Sequence, residues 1–269
     1  MKILTVCIVA FAFVSSIDGN VASTRNCGGR MFVDEAIIID ATTQQDCTWQ
    51  FQTKEDRILA FTVVGGNVND AQQFFSIHDG VDIDSPVLLA EKQKIASPRK
   101  DFPQAVYTTQ PSAIVRFKTA PISNLQLKVQ KAVNCPADLG ANTGCGRIVD
   151  EISCYCVDYN LRTHEGQTTS CLDNGFKLLA LESRTEENLL IGAWGNVKRY
   201  WTSLTDNLNE GNWLWGSTGT GIVGGYFNWA INQPDGSGNC VHLNDASPQG
   251  GWNDDNCANL REAICEGQP

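Results

Sequence analysis

The chain has 269 residues and 11 cysteines, with 30 acidic side chains against 20 basic ones, a formal net charge of −10 at pH 7. With no run of Lys and Arg, that balance counts against nucleic acid and anionic membrane surfaces as partners, because both are gripped by clustered cations. The length suits two domains of ordinary size. Residues 1–19 carry Lys2, an apolar run over residues 3–14 and then small and polar residues. This is the pattern of a secretory signal, too short to span a membrane. No later apolar run approaches the roughly 20 residues of a transmembrane helix, so the mature chain is expected to be secreted, extracellular and soluble. Cys7 leaves with the signal, and the ten cysteines that remain are expected to be fully paired, as an even set in an exported chain usually is. No Asn-x-Ser/Thr triplet occurs, and N-glycosylation is not expected.

From Cys27 to about Val133 the chain consists of short apolar or alternating runs, AIIID, CTWQF, RILAFTVV, QFFSIHDG, AVYTT, AIVRF and LQLKV, separated by turn residues. Such spacing predicts an all-β antiparallel sandwich, with Cys27 and Cys47 bridging its first two strands. Cys-Gly-Gly at 27–29, Cys47 followed by Trp49, a strand ending in Asp79-Gly80, the run PVLLA and the two closing strands resemble a CUB domain, placed at 27–132. The second cysteine pair common in that family is replaced by Phe74 and Phe75, which are expected to extend the apolar core. The resemblance would make Asp79 a calcium ligand. An aspartate before a glycine is more simply a turn former, and His78 beside it reads as a strand residue facing outward. No chemistry is assigned to this half, which is expected to contact protein, self-associate or act as a spacer.

In the second half, TTSCLDNGFKLLALES predicts a helix closing near Gly175 and a strand KLLAL. Ser183 with Glu186 three residues on forms a capping box, after which Leu189, Leu190, Ala193, Trp194 and Val197 recur at helical period. Glu186 and Glu187 then lie in the first turn, where they favour the helix dipole, and no catalytic role is assigned to them. The stretch WAINQPDGSGNCVHLNDASPQGGWNDDNC, residues 229–257, sets two clusters of oxygen-bearing side chains around Cys240: Gln233-Pro234-Asp235 and Trp252-Asn253-Asp254. A bond from Cys240 to Cys257 would clamp the clusters face to face. That arrangement suits a hard cation, since calcium takes about six to eight oxygens from carboxylates and carbonyls on irregular backbone. Oxidised cysteines offer it no soft competitor.

These two triplets flanking a disulfide resemble the C-type lectin superfamily, and the resemblance continues through YWTSLTDN, EGNWLWG, FNWA and AICE, over residues 135–267. It implies an α+β C-type lectin-like fold behind the β-sandwich. It also implies a calcium site held by Gln233, Asp235, Asn253 and Asp254, the same side chains hydrogen-bonding two vicinal sugar hydroxyls. The family's further glutamate, two residues before the next cysteine, is Gly238 here. Its loss should weaken calcium binding, because ligand charge tunes affinity; Asn239 is a possible substitute. The resemblance makes the Gln233–Pro234 bond cis, and Gln followed by Asp resembles the galactose-type order. The loop Gly236, Ser237, Gly238, Asn239 lacks the aromatic that strong galactose binders place there. An auxiliary calcium site is implied at Asp206, Glu210 and Asn239, with Gly236 where the family has an aspartate. Trp201, Trp213, Trp215 and Trp229 match core positions, and Trp252 is left open as a sugar contact. Cys171 is implied to pair with Cys265, Cys145 with Cys154, and Cys135 with Cys156. Four cysteines allow three connectivities, and this nested one is only the favoured choice.

No enzyme is expected. Gly219, Gly221 and Gly224 spell G-x-G-x-x-G without the βαβ setting that a dinucleotide needs, and His164-Glu165 lacks the second histidine of a zinc-protease helix. Two functions remain. One is a secreted calcium-dependent lectin of galactose type, serving innate immune recognition, with the CUB-like half mediating assembly for avidity. The alternative is a non-carbohydrate interaction protein of venom, matrix or mineral type whose site has decayed. The retained Gln233, Asp235, Asn253 and Asp254 favour the first, and Gly238 favours the second.

Overall fold

The computed structural model describes residues 21–24, 27–40, 46–65, 75–88, 105–118, 126–244 and 250–269. The expected signal at 1–19 and Phe74 lie outside the described residues, as does the side chain of Phe75. The chain divides into two compact units, one drawn mainly from residues before 132 and one mainly from 132–269. Among the described residues no helix is long and apolar enough to cross a membrane.

The first unit consists of β1 (Val21–Thr24), β2 (Gly29–Phe32), β3 (Ala36–Asp40), β4 (Cys47–Gln52), β5 (Ile58–Gly65), β6 (Phe75–Asp79), β7 (Val106–Tyr107), β8 (Ser112–Phe117) and β9 (Gln126–Ala132). All seven predicted runs fall on strands. The strands make a five-stranded sheet, β1-β3-β9-β5-β7, and a four-stranded sheet, β2-β4-β8-β6. Alternation decides which faces are covered: in β4, Cys47, Trp49 and Phe51 are buried while Thr48 and Gln52 are exposed. They meet Leu59, Phe61, Val115 and Val129 from the other strands in one core. The antiparallel expectation needs correction in two places, because β1–β3 and β2–β4 are parallel. Cys27, just before β2, is bonded to Cys47 at the start of β4. The bridge ties like ends of neighbouring strands, which then run the same way; it joins β2 to β4 rather than the first two strands.

Asp79 ends β6 ahead of Gly80 and is 7% exposed. Its carboxylate accepts from the Thr109 backbone N–H at 3.0 and 3.1 Å and from the Thr109 hydroxyl at 2.7 Å. His78 does not face outward; it is 7% exposed, with Nε2 2.9 Å from Ser76 Oγ and Nδ1 3.1 Å from the Ser85 carbonyl.

The second unit contains β10 (Thr143–Gly146), β11 (Cys154–Arg162), α1 (His164–Asp173), β12 (Lys177–Leu178), α2 (Arg184–Trp194), β13 (Tyr200–Thr205), β14 (Leu214–Trp215), β15 (Thr220–Gly221), β16 (Cys240–His242), β17 (Asn253–Asp255) and β18 (Arg261–Gly267). The last strand is central, pairing with β11, β12 and β13. Thr163 caps α1, its hydroxyl accepting from the Gly166 N–H, and the helix ends before Gly175, whose φ of +78° a side chain would resist. Ser183 caps α2 in the same way. The predicted strand KLLAL is shorter than expected: only Lys177 and Leu178 join a ladder. Leu179, Ala180 and Leu181 are nearly fully buried through packing on the main core. Val197 lies beyond the helix and is exposed.

Cys171 with Cys265 and Cys240 with Cys257 are paired as expected. The nested pairing is not found: Cys145 bonds to Cys156 and Cys135 to Cys154. The cause is hairpin register, since β10 and β11 set Cys145 directly opposite Cys156, with Cα atoms 4.0 Å apart.

Candidate functional site

A layer of aromatic rings underlies the second unit's irregular loops. Trp252 stands edge-on to Trp215, Tyr226 and Trp229 at centroid distances of 5.5, 5.6 and 5.8 Å, and Trp229 to Trp213 at 5.0 Å, an arrangement aromatic quadrupoles favour. Trp252 is 0% exposed, which removes it as a sugar contact. Trp201, Trp213 and Trp215 are buried and Trp229 partly so, filling the core as expected. Backbone bonds from Ala230 N to the Trp252 carbonyl (2.9 Å) and from Trp252 N to the Asn228 carbonyl (2.8 Å) join the two loop segments. Gly251 permits that approach: a Cβ there would sit 2.8 Å from Ala230 N and from the Asn228 carbonyl oxygen.

On this base the segment 233–240 lies along β17, with β16 and β17 paired and Cys240 bonded to Cys257. The Gln233–Pro234 peptide is cis. Asp254 is fully buried, and its carboxylate accepts from the backbone N–H of Asp235 at 3.0 Å and of Gly236 at 2.8 Å. The Ser237 hydroxyl donates to the Asp254 carbonyl at 2.9 Å. Asp235 is exposed; its carboxylate accepts from Ser237 N at 2.9 Å and lies 3.5 Å from Gln233 Nε2. Hydrogen bonding from Ser237 holds the Asp235 carboxyl below its usual range, so it is ionised at neutral pH. Gln233 Oε1 is buried and has no hydrogen-bond partner. Asn253 sits at the start of β17, opposite His242.

These groups fit a cation: the exposed Asp235 carboxylate and the unanswered Gln233 amide oxygen lie two residues apart, on a loop that the Asp254 carboxylate fastens to β17. Gly238 does not. A Cβ built there would fall on the Asp255 carbonyl and Asn256 N, so the four-residue connection from Asp235 to Cys240 packs backbone against backbone where the family places a glutamate.

The auxiliary group also assembles in part. Asp206 is 2% exposed; its Oδ2 accepts from Gly211 N at 2.8 Å, its N–H donates to the Asn239 carbonyl at 3.3 Å, and its Oδ1 is buried without a partner. Glu210 Oε1 comes within 3.9 Å of where a Gly236 side chain would begin. Asn239 thus takes part here through its backbone.

Sequence reasoning missed a third group. Glu182, Glu186 and Glu266 bring carboxylate oxygens within 4.8 Å of one another, a spacing at which oxygen ligands can share an ion. Glu186 accepts from the Tyr155 hydroxyl and from Glu182 N, both at 2.9 Å, and Glu266 accepts from Ala180 N at 3.1 Å. Burial pushes Glu186 up to about 7 and Glu266 up to about 8. Glu187, next to Glu186, is likewise buried. The capping-box spacing was the available signal, but it says nothing of Glu266, 80 residues further on.

Fold and site together define a disulfide-braced α+β domain whose acidic loops meet over an aromatic base. Residues 161–267 match the family described as Lectin C-type domain. Salivary C-type lectin 2 of Aedes albopictus is 30% identical over 135 residues, which cover 45% of this chain and 88% of that protein. The chain therefore belongs to the C-type lectin family. Human asialoglycoprotein receptor 2 is 27% identical over 160 residues, covering 56% of this chain and just under half, 47%, of the receptor. Among solved structures, the carbohydrate-recognition domain of mouse scavenger receptor C-type lectin shares 29% identity over 43% of this chain and 88% of that domain, with a TM-score of 0.40.

Proposed function

We propose that this chain is a secreted calcium-dependent glycan-binding protein whose site is formed by Gln233, Asp235, Asn253 and Asp254. The observation that carries this reading is Gln233 Oε1, a buried acceptor with no donor, on a side chain whose Nε2 lies 3.5 Å from the Asp235 carboxylate. Leaving such a group unanswered costs about 1–3 kcal/mol, which a cation would offset. Bound calcium would supply positive charge and open coordination positions for sugar hydroxyls. Asp235 offers an exposed, ionised carboxylate, while Asp254, anchored by two backbone amides, keeps the 233–237 loop in place. The Gln-then-Asp order supports a galactose-type preference. Asp206, with its own unanswered Oδ1, supports an auxiliary ion with Glu210 and Asn239. Five disulfides and the signal-like residues 1–19 support an oxidising, extracellular setting, in which innate immune recognition is the role proposed. The first unit, read as CUB-like over 27–132, is assigned to assembly or protein contact.

The test is calcium titration followed by thermal melting. A ligand held only by the folded state stabilises by about 2.7 kcal/mol at a hundredfold excess over Kd, so the melting temperature rises with calcium, and Asp235→Ala abolishes the rise. Protein retained on immobilised galactose elutes with a chelator; retention that survives metal removal contradicts the proposal. The crowding at Gly238 favours the second reading, a non-carbohydrate binder, which is the conclusion if calcium leaves the melting curve unmoved.

A further inference from the structure

The second unit carries a cleft of about 820 Å³, walled by α2, the loop into β13, the start of β18, and Gly250 and Gly251 just ahead of Trp252. None of Gln233, Asp235, Asn253 or Asp254 lines it. Its volume falls within the range of small-molecule sites. On a chain of net charge −10, the described residues that line this cleft include four cationic side chains, Arg184, Lys198, Arg199 and Arg261, and two carboxylates, Glu187 and Glu262.

Both carboxylates are already answered from within the protein. Glu187, 2% exposed, accepts from the Tyr226 hydroxyl at 2.5 Å and from Asn228 Nδ2 at 3.1 and 3.2 Å. Glu262, 5% exposed, is paired with Lys198 Nζ at 2.7 Å. Arg261 is engaged by Asp255 and lies over Trp201 at 5.3 Å. Arg184 and Arg199 are different: both are exposed, and among the described residues neither has an ion-pair partner, Arg184 resting 5.8 Å from the Tyr226 ring centre.

We infer that this cleft is a second, metal-independent site for an acidic saccharide, a sugar bearing one sulfate or carboxylate. A guanidinium presents a planar fork that matches either anion in a bidentate way. The side-chain amides of Asn188 and Asn196, exposed on the same walls, each donate and accept, as sugar hydroxyls require. Leu161, Val197 and Leu260, exposed at the rim, provide apolar surface for the C–H face of a ring. A long polyanion is disfavoured by the chain's overall negative charge, which leaves a ligand of one or two charges.

Titration calorimetry in the presence of chelator, at low salt, tests this with galactose 6-sulfate and N-acetylneuraminic acid, against galactose as the neutral control. Binding of either acidic sugar but not galactose is expected, and which one binds distinguishes sulfate from carboxylate. Arg184→Gln with Arg199→Gln should weaken it by about tenfold or more, the loss of a charge-assisted pair, whereas Asp235→Ala should leave it unchanged. In the unmodified protein, NMR shifts of the Asn188 and Asn196 side-chain amides on titration report the site without any substitution. No binding of either acidic sugar, equal binding by the double variant, or a tetraglutamate peptide bound as tightly as the sugars would overturn the inference. Because chelator is present throughout, failure here leaves the calcium site untouched, and failure of the calcium site leaves this one standing.

Discussion

A side chain at position 238 has nowhere to go. Its Cβ would land on the Asp255 carbonyl, so even the smallest addition must push apart two segments held by the Cys240 to Cys257 bridge. Gly238→Ala should destabilise the protein by about 1–3 kcal/mol, the usual cost of overpacking, read as a lower urea midpoint with unchanged slope. Gly238→Glu restores the residue that the family carries, yet it should not tighten calcium binding, because the backbone cannot present the carboxylate. A tighter Kd for calcium in that variant would show that the loop opens freely and that the glycine is merely a lost ligand. The resemblance located the missing glutamate from sequence, but not the reason for it, which lies in a contact between residues 17 apart.

At the scale of elements, what was legible followed from periodicity and capping. Seven alternating runs became strands, and Ser183 marked the start of α2. What was not legible depended on register and burial. Cys154 and Cys156 lie two apart on β11, so both point to one face of the strand. Which of them meets Cys145 is decided by the β10–β11 offset, and no local pattern encodes it. Leu179, Ala180 and Leu181 look like strand; Leu179 still bonds through its backbone to Ile264 and Ser203, but the regular ladder stops at Leu178, since apolar runs report burial more directly than strand pairing. Trp252 invited a ligand role from its place in a binding motif, although the same motif must also roof the core. Removing the Cys240 to Cys257 bridge with two alanines should lower stability by about 3 kcal/mol, as expected for closing a short loop. The calcium-induced rise in melting temperature should be lost with it, because this bridge ties 233–240 to β17. A double variant that keeps the full calcium response would show that the β16–β17 ladder alone suffices.

The molecule as a whole should respond to pH through Glu186 and Glu266. Both carboxyls are raised by burial, to about 7 and about 8, from an ordinary value of 4.5. Between the ordinary and the raised values the folded chain holds protons that the unfolded chain has released, so stability is fullest in acid and falls as pH climbs through that window. His164 is lowered by burial from 6.5 and works in the other sense, its contribution being lost only on acidification below that value. The melting temperature measured from pH 6.5 to 8 should therefore decline, and Glu186→Gln, which stays neutral, should flatten the decline. A rise across this interval would mean that the carboxyls are already ionised in the native state.

The central place of β18 has a consequence for how the chain is made. Arg261–Gly267 is the strand against which β11, β12 and β13 all assemble, and Cys171 must wait for Cys265, 94 residues later. During synthesis the half-made sheet therefore has no middle, and a reactive thiol is carried through the exit of most of the domain before its proper mate emerges. Closure of this half therefore waits until residue 265 has been made, and any bridge that Cys171 forms earlier must be exchanged before the sheet can close.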